Sequence, residues 1–236
     1  MNKKILTILC ISYNHENFIK QALESFVAQK TNFSFEVLVS DDASTDNTAK
    51  IIEEFAKQYP EIIKPILRQQ NVGFWENFIG IAEMVETKYV SLCEGDDYWI
   101  DENKLQKQVD FLEKNPDFSI CFHPVNILSD KENKIIKSFP SKKMIFNKNE
   151  LNLKDLLIRN FIQTNSVIYR WRFGKNEKIR DIFPKNILPM DYFFHLLHAQ
   201  NGKIYFLDDN MAVYRIHQGG IWNGANQTDE WFLKYG

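Results

Sequence analysis

The chain has 236 residues, 44% of them hydrophobic and 25% charged, enough for one sizeable α/β domain with a buried core and too few for two independent ones. A net charge of −2 excludes the clustered basic excess by which a protein grips nucleic acid. Apolar runs are strand-length, well short of the roughly 18 residues needed to cross a bilayer, and the basic start Met1-Asn2-Lys3-Lys4 is followed by neither a leader-like apolar region nor a cleavage site. A cytoplasmic location is therefore expected.

The first strand is expected at residues 5–11, Ile-Leu-Thr-Ile-Leu-Cys-Ile, a nearly unbroken apolar run that suits a strand covered on both faces. Residues 17–29 place Phe18, Ile19, Ala22, Leu23, Phe26 and Val27 on one helical stripe, and 35–39 read as the next strand, completing a βαβ unit. The polar cluster 40–48 opens a helix carrying Ile51, Ile52, Phe55 and Ala56, which Pro60 ends. Residues 62–67 then read as a strand, 74–85 as a helix, and 88–93 as a strand leading into Glu94-Gly95-Asp96-Asp97, with a further helix over 101–114.

Past Asn115-Pro116 the rhythm changes. A strand is expected at 118–128, a charged stretch at 129–137, a loop at Pro140, a helix at 149–159 and a strand at 164–169. A helix over 190–199 precedes a closing pair of strands, 203–207 with 211–216. The pattern implies one α/β domain, a Rossmann-like, mostly parallel mixed sheet flanked by helices, with a smaller acceptor-side subregion. Residues 1–115 are expected to form one half of it, 116–218 the other, and 219–236 a flexible tail or lid.

In open sheets of this kind ligands bind beyond the carboxyl ends of the strands. Ser12-Tyr13-Asn14, Asp41-Asp42 and Glu94 to Asp97 each follow a strand and should meet at that edge. Three carboxylates crowded into one turn repel one another, and a hard divalent cation is the usual reason for holding them so. Mg²⁺ or Mn²⁺ in turn seeks phosphate oxygens, so a diphosphate ligand is expected. The competing reading is that Asp96 and Asp97 only cap the helix that follows. Cys10, Cys93 and Cys121 lie in apolar strand segments without zinc spacing and should be buried thiols.

Four segments together, 8–14 (Ile-Leu-Cys-Ile-Ser-Tyr-Asn), 39–46 (Val-Ser-Asp-Asp-Ala-Ser-Thr-Asp), Asn71-Val72-Gly73 and Glu94-Gly95-Asp96-Asp97, resemble in order and spacing the successive motifs of the family 2 glycosyltransferases, strongly over the first half of the chain. The resemblance implies the A-type glycosyltransferase fold and metal-dependent, inverting transfer of a sugar from a nucleoside diphosphate, a UDP-sugar foremost, to a hydroxyl of a glycan or lipid-linked acceptor. It also implies a place in cell-surface polysaccharide or glycoconjugate synthesis. Tyr13 would stack on the base, with Ser12 and Asn14 beside it. Asp42, or else Asp41, would accept from the base while the other caps the next helix.

Asp96 stands at the metal position of the family's DxD motif. Glu94 replaces the more usual aspartate and would touch ribose or a metal-bound water, with Asp97 in support and Gly95 allowing a sharp turn. Asp191, within Pro189-Met190-Asp191, is similar to the acidic residue serving as base, although the commoner Glu-Asp pair is here Met190-Asp191. In Tyr214-Arg215-Ile216-His217 the family's late motif brings the histidine to the metal and the arginine to the phosphates. Gly219-Gly220 would let Ile221-Trp222 fold over donor.

From the residues themselves, Arg68 and Asn71 follow the third strand and are weighed equally as nucleotide contacts or solvated loop. Asn160, Gln163, Thr164 and Asn165 form an uncharged cluster suited to sugar hydroxyls. Trp99 and Trp222 are candidates to stack on an acceptor sugar, with Trp75, Trp171 and Trp231 read as packing, as are His195 and His198. The lysine-rich stretch 131–154 reads first as a solvated hairpin and second as a peripheral contact with an anionic bilayer. The rival functions are a sugar-nucleotide nucleotidyltransferase, disfavoured because 11–18 holds neither glycine nor lysine, and a non-catalytic sugar- or nucleotide-binding module.

Overall fold

The computed structural model describes residues 3–174, 177–184 and 189–220. Its first half runs β1 (Leu6–Ser12), α1 (Ile19–Val27), β2 (Phe35–Asp41), α2 (Thr48–Gln58), β3 (Ile63–Leu67), α3 (Phe74–Ala82), β4 (Tyr89–Leu92), β5 (Tyr98–Trp99) and α4 (Lys104–Lys114). The second half adds β6 (Phe118–Phe122), β7 (Val125–Ser129), β8 (Lys134–Phe139), β9 (Glu150–Leu151), α5 (Leu153–Ile158), β10 (Ile168–Arg170), α6 (Ile179–Ile182), α7 (Met190–Ala199), β11 (Lys203–Phe206) and β12 (Ala212–Ile216).

All seven residues of β1 are buried, because β2 and β4 flank it in parallel and helices cover both faces. Alternation divides its side chains: Leu6, Ile8 and Cys10 enter one core, Leu9 and Ile11 the other. Helix α1 closes the first core with Ile19, Ala22, Leu23 and Phe26, all fully buried at helical spacing. Each large apolar side chain there contributes roughly 1.5–3 kcal/mol over remaining exposed.

The main sheet has the order β3-β2-β1-β4-β10-β6-β11-β9. Strand β10 runs antiparallel to both β4 and β6, and β9 antiparallel to β11, so the sheet is mixed beyond β4. A smaller sheet, β5-β12-β7-β8, lies beside it. The second half of the chain extends the sheet begun by the first, through β6, β9, β10 and β11.

Several boundaries differ from expectation. The strand over 118–128 is two strands in two sheets, broken at His123-Pro124 because proline cannot donate into a ladder. The expected strand 164–169 begins as a 3-10 turn, Thr164–Ser166, with Ser166 N–H donating to Gln163 O, and only then enters β10. The helix over 149–159 starts late, at Leu153. Asn152 Oδ1 accepts from Lys154 N–H and Asp155 N–H while Asp155 accepts from Asn152 N–H, a capping box that sets the boundary. Residues 203–207 and 211–216 are not paired: β11 joins β6 and β9, whereas β12 joins β7 and β5. Lysine-rich β8 forms the exposed arm of a hairpin with β7. Among the described residues no helix is long and apolar enough to cross a membrane.

Candidate active site

Because β1, β2 and β4 are parallel, their carboxyl ends share one edge. Asp42 N–H donates to Ser12 O and Gly95 N–H to Ile11 O, stitching the three strand-end loops together. The second half brings the start of α7 and the end of β12 to the same place. Between them lies a cavity of about 750 Å³, lined among others by Tyr13, Asp42, Glu94, Asp96, Asp191 and Arg215.

In the acidic turn Asp97 is buried while Glu94 and Asp96 are half-buried, and the three carboxyls differ. Burial, reinforced by the neighbouring Asp96 and Asp191 charges, pushes Glu94 up to about 8. Asp97 is also driven well up by burial and Asp96, even though Arg215 N–H donates to its Oδ1 at 2.9 Å. For Asp96 burial acts in the same upward direction, but a hydrogen bond from His217 and the proximity of His15 prevail and hold it below the ordinary carboxylate range. Asp96 is thus the member that stays ionised. Gly95 serves close approach rather than a special turn: a Cβ would stand 2.8 Å from Ile19 Cδ1 and 3.0 Å from both His15 Nδ1 and Ser12 Cβ.

Asp191 lies in the first turn of α7, where the helix N-terminus favours negative charge. Thr164 Oγ1–H donates to its Oδ2 at 3.1 Å, fixing its orientation, while burial raises its pKa. It is a half-buried carboxylate with a single side-chain hydrogen bond, on the cavity wall and close enough to Glu94 to raise that group's pKa electrostatically.

Tyr13 is 45% exposed on the cavity wall, so it is not a core aromatic. Asp42 accepts from Val72 N–H at 2.8 Å and Gly73 N–H at 2.9 Å, which holds the 71–73 loop and brings Asn71 to the lining. Ser12 also lines the cavity. Asn14, Asp41 and Arg68 are not among the lining residues. Asn14 Oδ1 accepts from Thr45 N–H and Oγ1–H. Asp41 accepts from Ser44 N–H, Ser44 Oγ–H and Ser12 Oγ–H, which closes the turn after β2 but does not cap α2, whose first residue Thr48 donates its N–H to Asp46 instead. Arg68 Nε–H donates to Asn77 Oδ1 on α3.

Other expectations need correction. Asn160, Gln163 and Thr164 line the cavity, but Asn165 is fully buried and donates to Val213 O, tying the turn to β12. Trp99 is a core residue, 4% exposed, whose Nε1–H donates to Asn165 O, and it cannot serve as a sugar platform. Arg215 is engaged with the turn: Nε–H donates to Asp96 O and Nη2–H to Gln21 Oε1, with the guanidinium over Phe18. Gly219 and Gly220 reach the lining. Residues 221, 222 and 231, among them the remaining stacking candidate Trp222, lie outside the described residues.

Sequence reasoning missed His15. Its Nε2 lies 3.8 Å from Asp96 Oδ2, and His217 Nε2–H donates to the same oxygen at 3.0 Å. One donor atom from each of His15, Asp96 and His217 falls within 4.8 Å of the others. Asp96 Oδ1 and His15 Nδ1 are buried without a partner. An ionised carboxylate with an unpaired buried oxygen between two imidazoles fits a divalent cation. Its sequence signal was position alone: His15 follows a parallel strand, as do Tyr13, Asp42 and Asp96.

Comparison with known proteins places this geometry in context. The family model described as Glycosyl transferase family 2 matches residues 7–175. An uncharacterised protein of Mycobacterium tuberculosis strain H37Rv, Rv1520, is 44% identical over 220 residues, covering 93% of this chain and 61% of its own. The chain thus spans about three fifths of the length of that relative. Among solved structures, S. aureus TarS 1-349 in complex with UDP-GlcNAc aligns with TM-score 0.69 at 21% identity, over 98% of this chain and 64% of that one. The mannosyltransferase PcManGT of Pyrobaculum calidifontis, in complex with GDP-Man and Mn²⁺, aligns with TM-score 0.64 at 16% identity, over 91% and 58%. Both likenesses are likenesses of fold.

Proposed function

The chain belongs to glycosyl transferase family 2, and from that premise we propose that it transfers a sugar from a nucleoside diphosphate, a UDP-sugar foremost, to a hydroxyl of a glycan or lipid-linked acceptor with inversion. The observation that carries the reading is one cavity whose walls bring together the exposed aromatic Tyr13, an Asp96 carboxylate beside two imidazoles, and the half-buried carboxylate Asp191. Tyr13 receives the base, and Asp42, through its remaining lone pairs, orients it and the 71–73 loop. Glu94 faces the ribose side, and Asp97, held by Arg215 N–H, fixes the shape of the turn.

When bound, a divalent ion held by Asp96 and His217 would neutralise charge on the departing diphosphate, the largest electrostatic demand of the transfer. Asp191 accepts the acceptor hydroxyl's proton as that oxygen bonds to the anomeric carbon and the bond to the diphosphate breaks. Thr164 keeps its carboxylate aligned. The neutral side chains of Asn160 and Gln163 offer hydrogen bonds to sugar hydroxyls. Named partners of relatives support this donor class: TarS binds UDP-GlcNAc and PcManGT binds GDP-Man with Mn²⁺.

The test is a panel of sugar nucleotides scored by thermal shift with Mn²⁺ and by nucleoside diphosphate release with glycan acceptors. Asp96→Asn should remove the metal dependence of donor binding. Donor affinity that is the same with and without Mn²⁺ in the wild-type protein would reject the assigned role of Asp96.

A further inference from the structure

An ion meant only to bridge phosphates needs little from the protein. Mg²⁺ in particular is held by one or two carboxylates and keeps its waters. The described residues offer something else at this edge, one carboxylate flanked by two imidazoles. His217 arrives from the loop after β12 and His15 from the loop after β1, so two strands far apart in sequence deliver nitrogen to the same oxygen, Asp96 Oδ2.

The surroundings keep the two rings in place without ligand. Backbone bonds fix the His15 loop: its N–H donates to Thr48 Oγ1 at 2.8 Å, and its carbonyl accepts from Phe18 N–H and Ile19 N–H at the head of α1. The His217 ring packs on Phe18, with centroids 4.5 Å apart, and stands nearly perpendicular to the His15 ring at 6.2 Å. Gly95 admits the His15 ring, since a side chain there would meet Nδ1 at 3.0 Å. Contacts within the protein thus hold the donors together, and such preorganisation lowers the entropy cost of capture.

Imidazole suits the later first-row transition ions, whereas oxygen sets suit Mg²⁺. Building on the proposed reading above, the geometry points to His15 as a third protein ligand that, with Asp96 and His217, makes a nucleotide-independent site selective for a transition-metal ion over Mg²⁺. His15 is then the selectivity determinant. Removing it leaves one carboxylate and one imidazole, a set that still meets phosphate-bound metal but discriminates less between ions.

The experiment uses the metal-stripped chain without nucleotide. Co²⁺ uptake is followed by visible absorption, Mn²⁺ binding by electron paramagnetic resonance with nitrogen couplings resolved by pulsed methods, and Mg²⁺ by competition. Wild-type protein should take up one Co²⁺, and bound Mn²⁺ should show couplings from two imidazole nitrogens. His15→Ala should show one coupling and at least about a tenfold loss of Co²⁺ affinity with little change for Mg²⁺. Melting in EDTA checks that the variant is folded, and His15→Gln, which keeps volume and polarity, replaces it if alanine unfolds the loop. Should Asp96→Asn abolish the Co²⁺ signal while both His15 variants keep wild-type affinity and couplings, His15 is no ligand; this inference falls and the proposed transfer stands. Should wild-type protein bind neither Co²⁺ nor Mn²⁺, the inference falls together with the metal-assisted form of that reading.

Discussion

Helix α7 joins two buried clusters of ionisable groups that behave in opposite ways. At its first turn Asp191 shares the cavity with Glu94 and Asp96, where side chains stay polar, differ in charge and leave a donor atom unpaired. One and two turns later His195 and His198 are fully buried among Tyr169, Trp171, Phe173 and Phe194. There His195 Nδ1 meets Tyr169 OH at 2.6 Å, and His198 Nδ1–H donates to Phe194 O at 2.9 Å. Burial pushes both imidazoles down to about 3, so both are neutral. Shifted pKa values therefore occur in both clusters, and the shift alone does not mark function. What separates them is a cavity wall and a mixture of opposite charges on one side, against an aromatic enclosure on the other.

The sharpest way to break this contrast is at Asp191. Asp191→Asn keeps the shape of the site and a partner for Thr164, but cannot accept the acceptor's proton. Transfer should fall by roughly 10²–10⁴-fold with donor affinity retained, measured as nucleoside diphosphate release beside calorimetric donor binding. Joint loss of binding and transfer would place Asp191 with the structural cluster instead.

The aromatic cluster should respond to pH rather than to substrate. An unfolded histidine takes its proton near 6.5, whereas the folded pair refuses it until about 3. Between those values the unfolded state binds more protons, so stability is full above about 6.5 and is lost as pH falls, by at most about 1.4 kcal/mol per unit for each histidine. The double variant His195→Phe with His198→Phe should lose that part of the acid limb in urea titrations at pH 7 and 5. Its transfer rate should stay within about twofold of wild type. A limb of unchanged slope would show that the imidazoles escape burial before the fold opens.

The contrast was only half legible in the chain. The βαβ rhythm through β4 could be read because β1 and its neighbours are covered on both faces and so are continuously apolar. From that rhythm the meeting of Tyr13, Asp42 and the acidic turn followed from topology, and His195 and His198 were placed in the packing because no carboxylate accompanied them. Beyond residue 115 strands are short, and pairing depends on partners distant in sequence. Nothing local shows that β11 and β12 part into different sheets, or that Trp99 turns inward to Asn165 O. His15 escaped notice for a related reason: its meaning comes from His217, two hundred residues away, and not from any spacing near it.

Thr164 sharpens the comparison with a smaller effect. Its hydroxyl supports the charged form of Asp191, so Thr164→Val should raise the pKa of that carboxyl further. The pH at which transfer falls on acidification should then rise, with a rate loss of up to about tenfold at neutral pH, on the order of 1 kcal/mol. A rate loss without displacement of the profile would mean the hydroxyl only packs.

The smallest effect is expected at a third buried group that belongs to neither cluster. Lys104 is fully buried behind β4, with Nζ–H donating weakly to Ser91 Oγ at 3.3 Å and lying 4.1 Å over the Trp99 ring. Among the described residues it makes no ion pair with a carboxylate. Burial brings it down to about 7 from 10.5. Between those values the unfolded chain holds a proton that the folded chain gives up, so the lysine's cost to stability is greatest at and below pH 7 and fades as pH rises toward 10.5. Lys104→Met, similar in volume and without charge, should be more stable than wild type by about 1 kcal/mol at pH 7, with the advantage shrinking by pH 10 in paired urea titrations. Transfer should be unaltered, since Lys104 is absent from the cavity lining. A wild-type protein that is the more stable at pH 7 would show that the contacts with Trp99 and Ser91 outweigh desolvation.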